Sequence, residues 1–330
     1  MFLISILLMH LSSILTSIYF DFRYEERYIR DIGGDMPSAG TTNTRTNNTF
    51  ICYNYILAYR RFKIKYYIAP PLEIYVGESG NCYQEPKITS KTYAEYNYLR
   101  PGIASYVKSI HFDVALKLVR QFFYRCNVID FGCADGVFLP SLSKYFNLVC
   151  GVDKNPNFIK IAQKLVDMSA LSNVKLICNE KHNIVEIKRQ LADEKYNLLF
   201  LLEIIEHVGR KEDLYASKVE FIEQLFALID EEGIIVISVP KMVGIAFLMQ
   251  RIALALFGLY RSPMSISNIV KASFFNNTSD LERQWKGEHE GFNHKKLENH
   301  LGKNFNILKK RNLLFQVIYV IKRNPVKQAK

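Results

Sequence analysis

Short apolar runs at residues 128–130, 148–152, 174–178, 198–202 and 234–239 punctuate the middle of the chain, each of strand length. Apolar residues at helical spacing fill the stretches between them at 138–145, 157–168 and 218–228, and a weaker helical pattern spans 184–191. Continuous apolar strands alternating with helices predict right-handed crossovers and a mainly parallel sheet covered on both faces. Val107, Ile110, Phe112, Val114, Ala115, Leu118, Val119 and Phe122 predict a further helix just ahead of the first strand. Near the other end, the runs 305–308 and 315–321 follow each other too closely for a crossover helix, which predicts an antiparallel hairpin at one sheet edge.

The flanks of this core read differently. At 330 residues the chain exceeds a domain of roughly 100–200 residues, so one α/β domain with extensions is expected. Residues 1–20 carry no acid, lysine or arginine and approach the roughly 20 apolar residues a bilayer requires, although His10, Ser12, Ser13, Thr16 and Ser17 dilute them. They form a candidate membrane anchor or a non-native extension, without the positive start of a secretory signal. Residues 33–48 are rich in Gly, Ser, Thr and Asn, so 21–91 reads as linker and N-terminal extension, and 324–330 as a solvated basic tail.

Composition narrows the partners. The net charge of +11 favours encounters with anionic groups, but it says nothing of fold. Six cysteines without a C-x-x-C pair read as buried thiols in a reducing, cytoplasmic setting.

The candidate chemistry begins where the first strand breaks into Asp130-Phe131-Gly132-Cys133-Ala134-Asp135-Gly136. Gly132 and Gly136 can adopt positive φ and leave backbone bare beside a ligand, while the next helix opens with free N–H groups. Asp153 ends the second strand about 20 residues later, where an acid can accept from two ribose hydroxyls. The spacing of Gly132 and Gly136 does not give the G-x-G-x-x-G of a nicotinamide-dependent oxidoreductase.

With these features the stretch 92–323 resembles the class I S-adenosylmethionine-dependent methyltransferases. The resemblance implies a Rossmann-like three-layer sandwich with a mainly parallel seven-stranded sheet ending in an antiparallel hairpin. It places Asp130, Gly132, Cys133, Ala134 and Gly136 at the first cofactor motif, with Ala134 standing where the family has its middle glycine. Asp153, followed by Lys154, takes the ribose position, and Asn179-Glu180 the position near the adenine. The exit of the fourth strand, Glu203-Ile204-Ile205-Glu206-His207, looks like the E-x-x-E-H of quinone-type and related small-molecule enzymes. S-adenosylmethionine is the implied cofactor, and the implied reaction is in-line methyl transfer to an oxygen or carbon of a small or lipid-like acceptor.

Several roles stay open. His207 serves either as the general base or as a brace of its loop, and Glu203 can offset the charge of the cofactor's amino group. Asp130 either meets the cofactor's methionine part or ties down its own turn. Residues 241–300 are expected to bind or cover the acceptor, with His289 and His294 as candidate substrate contacts. Those two histidines offer no third ligand, so no metal site is expected. Residues 242–260 are nearly all apolar around Arg251, which suits a helix at a membrane surface, a lid, or a helix packed on the core. No aromatic and basic RNA-recognition motif is present, which ranks a nucleic-acid methyltransferase behind a small-molecule enzyme; a protein acceptor or a non-catalytic, membrane-associated cofactor-binding protein is the remaining alternative.

Overall fold

A computed structural model describes residues 64–78, 92–100, 103–180, 183–192, 194–256 and 264–324. The candidate anchor at 1–20, the linker at 33–48 and all but the first residue of the basic tail lie outside the described residues. The apolar runs form β1 (Val128–Phe131), β2 (Val149–Asp153), β3 (Val174–Cys178), β4 (Leu198–Leu202), β5 (Ile234–Pro240), β6 (Phe305–Asn312) and β7 (Gln316–Arg323). They make one seven-stranded sheet in the order β3-β2-β1-β4-β5-β7-β6. The first five strands pair in parallel, and β7 runs antiparallel to both β5 and β6.

Alternation along the strands divides the core. Ile129, Cys150, Leu199, Leu201, Ile235 and Ile237 enter one apolar layer. Their neighbours Val128, Val149, Leu198, Phe200, Ile234 and Val236 enter the other. Successive side chains of a strand point to opposite faces, and both faces here are covered, so the central strands are apolar throughout.

The helices are α1 (Ile103–Leu118), α2 (Leu139–Tyr145), α3 (Pro156–Met168), α4 (Ile184–Leu191), α5 (Leu214–Phe226), α6 (Ile245–Leu256), α7 (Ile266–Phe275), α8 (Ser279–Glu282) and α9 (His294–Asn304). Asparagines start three of them. Asn155, Asn183 and Asn293 each accept from backbone N–H groups of the first turn of α3, α4 and α9, which satisfies donors a helix leaves unpaired.

Part of the N-terminal extension belongs to the domain. Asp113 on α1 accepts the backbone N–H groups of Lys65, Tyr66 and Tyr67 at 2.7, 2.5 and 3.0 Å, and Ile74 and Tyr75 are fully buried. Within the apolar stretch at 242–260, Ile245–Leu256 forms α6, which buries Phe247 and Arg251 and leaves Ile245 and Ile252 exposed, and residues 257–260 lie outside the described residues. Arg251 reaches Glu290 at 2.9 Å, so the charge that interrupts the apolar run is paired inside the protein. No helix among the described residues is long and apolar enough to cross a membrane.

Candidate active site

The carboxyl ends of β1, β2, β3 and β4 meet at one sheet edge, where a parallel sheet of this order leaves a crevice. After β1 the chain turns through positive φ at Gly132 (+81°), Ala134 (+47°) and Gly136 (+87°). A Cβ on Gly132 would lie 2.4 Å from Ile204 Cδ1, so the turn needs a bare Cα because the exit of β4 packs directly on it. At Gly136 the space is filled by Leu139, Leu165 and Ala162 at 3.0–3.2 Å. Both glycines are thus demanded by backbone conformation and by packing.

Asp153 locks this turn. Its Oδ2 accepts from Ala134 N at 2.9 Å and its Oδ1 from Asn155 N at 2.9 Å, leaving further lone pairs on each oxygen. Burial raises its carboxyl, against the lowering effect of these N–H groups. Asp130 is buried at the end of β1, and burial, with Asp153 beside it, pushes it up to about 7. Lys154 is exposed just past β2. At the end of β3, Asn179 is buried and its amide oxygen accepts from Asn183 N at 2.9 Å, while Glu180 is exposed. Cys133 turns its thiol into the core.

Sequence reasoning did not single out Asp135 by role. The structure buries it completely, its Oδ2 accepts from Ala94 N at 2.6 Å, and its Oδ1 has no hydrogen-bond partner among the described residues. Burial raises it to about 7. Through Ala94, and through Tyr75 Oη donating to the Asp135 carbonyl at 3.3 Å, the N-terminal segments are tied to the glycine turn.

The exit of β4 forms the second half of the site. Glu203 has φ of +57°, a left-handed conformation uncommon for a side chain of its kind. It is held there by Ser238 on β5, which accepts its N–H through the backbone carbonyl at 3.1 Å and donates its hydroxyl to Oε1 at 2.9 Å. A single 3₁₀ turn at Ile205–His207 follows. It buries Glu206 entirely, with neither carboxyl oxygen hydrogen-bonded among the described residues, and burial together with Glu203 raises this acid well above the carboxylate range.

His207 is half exposed beside it. Its Nδ1 lies 2.7 Å from the Gly287 carbonyl; a carbonyl only accepts, so Nδ1 carries the proton and Nε2 is the acceptor. Burial of the ring lowers its basicity, against the raising effect of that carbonyl. Across from it His289 lies with its ring centre 4.5 Å away, lowered to about 4 by burial and by His207. Glu206 Oε1 is 3.9 Å from His207 Nε2 and 3.6 Å from His289 Nδ1.

The structure separates His289 from His294, the two histidines expected to lack a third ligand, and groups His289 with Glu206 and His207 instead: these three each offer a donor atom within 4.8 Å of one another, a set that can hold a divalent cation. His294 is not part of this group. It opens α9, is buried, and has Lys241, Glu298 and Lys310 around it. The missed members, Glu206 and Ser238, left only one trace in the sequence, the second glutamate of E-x-x-E-H.

The residues present fit a cationic nucleoside. Asp130 and Asp153 have no basic side chain bonded to them among the described residues, while S-adenosylmethionine carries positive charge at its sulfonium and amino groups. A glycine turn after β1, an acid on β2 and an acidic exit from β4 stand together at this sheet edge. The chain belongs to the methyltransferase domain family, whose sequence model matches residues 124–305.

Individual relatives are distant. A ubiquinone biosynthesis O-methyltransferase, mitochondrial, of Arabidopsis thaliana is 33% identical over 113 residues, which is 33% of this chain and 31% of that protein. The chain therefore matches about a third of that curated relative's length. Among solved structures, an O-methyltransferase family protein of Burkholderia thailandensis is 13% identical, covers 86% of this chain and 74% of its own, and has a TM-score of 0.46. Magnesium protoporphyrin IX methyltransferase of Synechocystis PCC 6803 is 15% identical, with 69% and 91% covered and a TM-score of 0.44.

Proposed function

We propose that the protein moves the methyl group of S-adenosylmethionine to a hydroxyl oxygen, or alternatively a carbon, of a small, apolar acceptor. The observation that carries this reading is the placement of His207: Nδ1 is committed to the Gly287 carbonyl, and Nε2 is left to accept a proton at the half-exposed mouth of the site. Bound S-adenosylmethionine supplies an electrophilic methyl on sulfur. Asp153 would hold its ribose, Asp130 and Glu203 would balance its positive charges, and Asn179 and Glu180 would border its base.

Alignment of donor and acceptor accounts for most of such a rate, about 7–11 kcal/mol, and a positioned base adds about 10²–10⁴-fold. A second reading of acceptor activation rests on Glu206. Its buried carboxyl, without a hydrogen-bond donor among the described residues and facing two imidazoles, suits a divalent cation held by Glu206, His207 and His289. Such an ion would supply Lewis acidity toward an acceptor hydroxyl.

The acceptor's apolar character is supported by the exposed side chains of Ile245 and Ile252 on α6 and of Ile266, Val270, Phe274 and Phe275 on α7. An exposed apolar group of this kind suits contact with a lipid surface. The Arabidopsis relative, named for ubiquinone biosynthesis, favours the same class of acceptor.

The test is transfer of labelled methyl from S-adenosylmethionine to a panel of hydroxylated aromatics with and without a lipid tail, before and after chelation. Transfer that survives chelation and is lost in His207→Ala assigns the base. Transfer lost on chelation and restored by Mg²⁺, Zn²⁺ or Co²⁺ assigns the cation, and no transfer to any member overturns the acceptor class.

A further inference from the structure

Lys218 is fully buried on α5. Burying an ammonium is costly unless it is paired and hydrogen-bonded, and this one is engaged on two sides. On one side Nζ donates to the carbonyls of Ile205 at 2.9 Å and Glu206 at 3.1 Å, and to that of Val208. These are carbonyls of the single turn that carries Glu206 and His207 and of the residue after it; that of Ile205 also accepts from Val208 N at 3.3 Å. On the other side Nζ lies 4.8 Å from the ring centre of Trp285 and 5.6 Å from that of Phe292, within the reach of a cation over an aromatic face.

Trp285 and Phe292 bracket the loop that bears Gly287 and His289. Trp285 Nε1 donates to the Glu288 carbonyl at 2.8 Å, and Gly287 is the partner of His207. Lys218 therefore touches the backbone of one segment and two side-chain rings of the other, the two segments that must converge for Glu206, His207 and His289 to meet, though it reaches none of their reacting atoms. A methionine would fill the space but could neither satisfy three carbonyls nor attract two ring faces.

The geometry points to Lys218 as a positioning residue that draws the 205–208 turn and the 285–292 loop together and sets the spacing of the Glu206, His207 and His289 group. The inference rests on reading that group as the acceptor end of the methyl-transfer site, and it adds the device that assembles it.

Lys218→Met tests it by hydrogen exchange and by titration with Co²⁺ and with S-adenosylhomocysteine. Exchange is expected to rise in both 204–209 and 285–293 while β1–β3 stay protected. Co²⁺ affinity falls by about 10–100-fold, the usual loss when an outer support of a metal site is removed, and S-adenosylhomocysteine affinity is retained. Unchanged exchange in both segments overturns the role, as does an equal rise across the glycine turn.

Should Lys218→Met fail to fold, Trp285→Leu removes one ring face and keeps the ammonium. It is expected to loosen 285–293 and weaken Co²⁺ binding, and no change in either overturns the proposal. Failure of the wild-type protein to bind S-adenosylmethionine would sink the methyl-donor reading while leaving the exchange result interpretable on its own.

Discussion

Asp153 and Glu206 are both buried carboxylates at the carboxyl edge of the same sheet, and they are held in opposite ways. Asp153 receives two backbone N–H groups and fastens a turn whose shape is complete before any ligand arrives. Glu206 receives none, faces two imidazoles whose basicity is depressed by burial, and relies on Lys218 below its backbone. The half that would hold the cofactor is thus preorganised by main-chain bonds. The half that would meet the acceptor keeps unmet polar demand, which an incoming hydroxyl or cation can satisfy.

The largest effect expected from this contrast is on turnover. Glu206→Gln keeps the shape and removes the ionisable carboxyl, and it should lower kcat by about 10²–10⁴-fold, the range for a positioned catalytic group. Thermal stability should hold or rise, because a buried acid with no hydrogen-bond donor among the described residues is replaced by an amide, and S-adenosylmethionine affinity should be unchanged. Full turnover in this variant would erase the distinction between the halves.

A smaller effect belongs to the other side. Asp153→Ala should weaken S-adenosylmethionine binding by roughly 1.5–3 kcal/mol, as expected for hydrogen bonds to a charged group, and lower stability by freeing Ala134 N and Asn155 N. Calorimetry with thermal unfolding separates the two contributions. Unaltered affinity would remove Asp153 from the cofactor site.

The smallest is a pH effect. Asp130 and Asp135 are raised from 3.8 to about 7, so between these values the folded protein holds more protons than the unfolded chain. Stability contributed by their protonated forms is present at the bottom of this window and is lost as pH rises through about 7. Unfolding temperatures should fall by about 2–4 °C for each kcal/mol lost. S-adenosylmethionine, by offering positive charge to Asp130, should shrink that fall and bind more tightly above pH 7; a pH-independent affinity would detach Asp130 from the ligand.

How much of this was legible follows from where the signals lie. The parallel strands were readable because their burial on both faces makes them apolar without interruption, and the cofactor half because its turn and acid are close in sequence. The edge strand β6 runs on to Asn312 through Lys309, Lys310 and Arg311, which are exposed and give no apolar signal. Helix α5 starts at Leu214, earlier than its clearest periodicity. The acceptor half was hidden for a different reason. His207 finds its partner 80 residues away at Gly287, and Lys218 on an amphipathic helix reads as a surface charge until its neighbours are known. Arg251, the charge within the apolar stretch at 242–260, is explained by Glu290 in a distant loop.

The pairing of β7 with β5 bears on where the protein can be cut. Family similarity stops at residue 305, yet β5 is zipped along its whole length, from Ile234 opposite Lys322 to Pro240 opposite Gln316, by a strand beyond that limit. A fragment trimmed to the similar region would present a long apolar ribbon with open amides, ready to recruit its own copies into aggregates. The clamp that Asp113 places on Lys65, Tyr66 and Tyr67 would be lost with it. The unit that folds is larger than the unit that sequence kinship recognises.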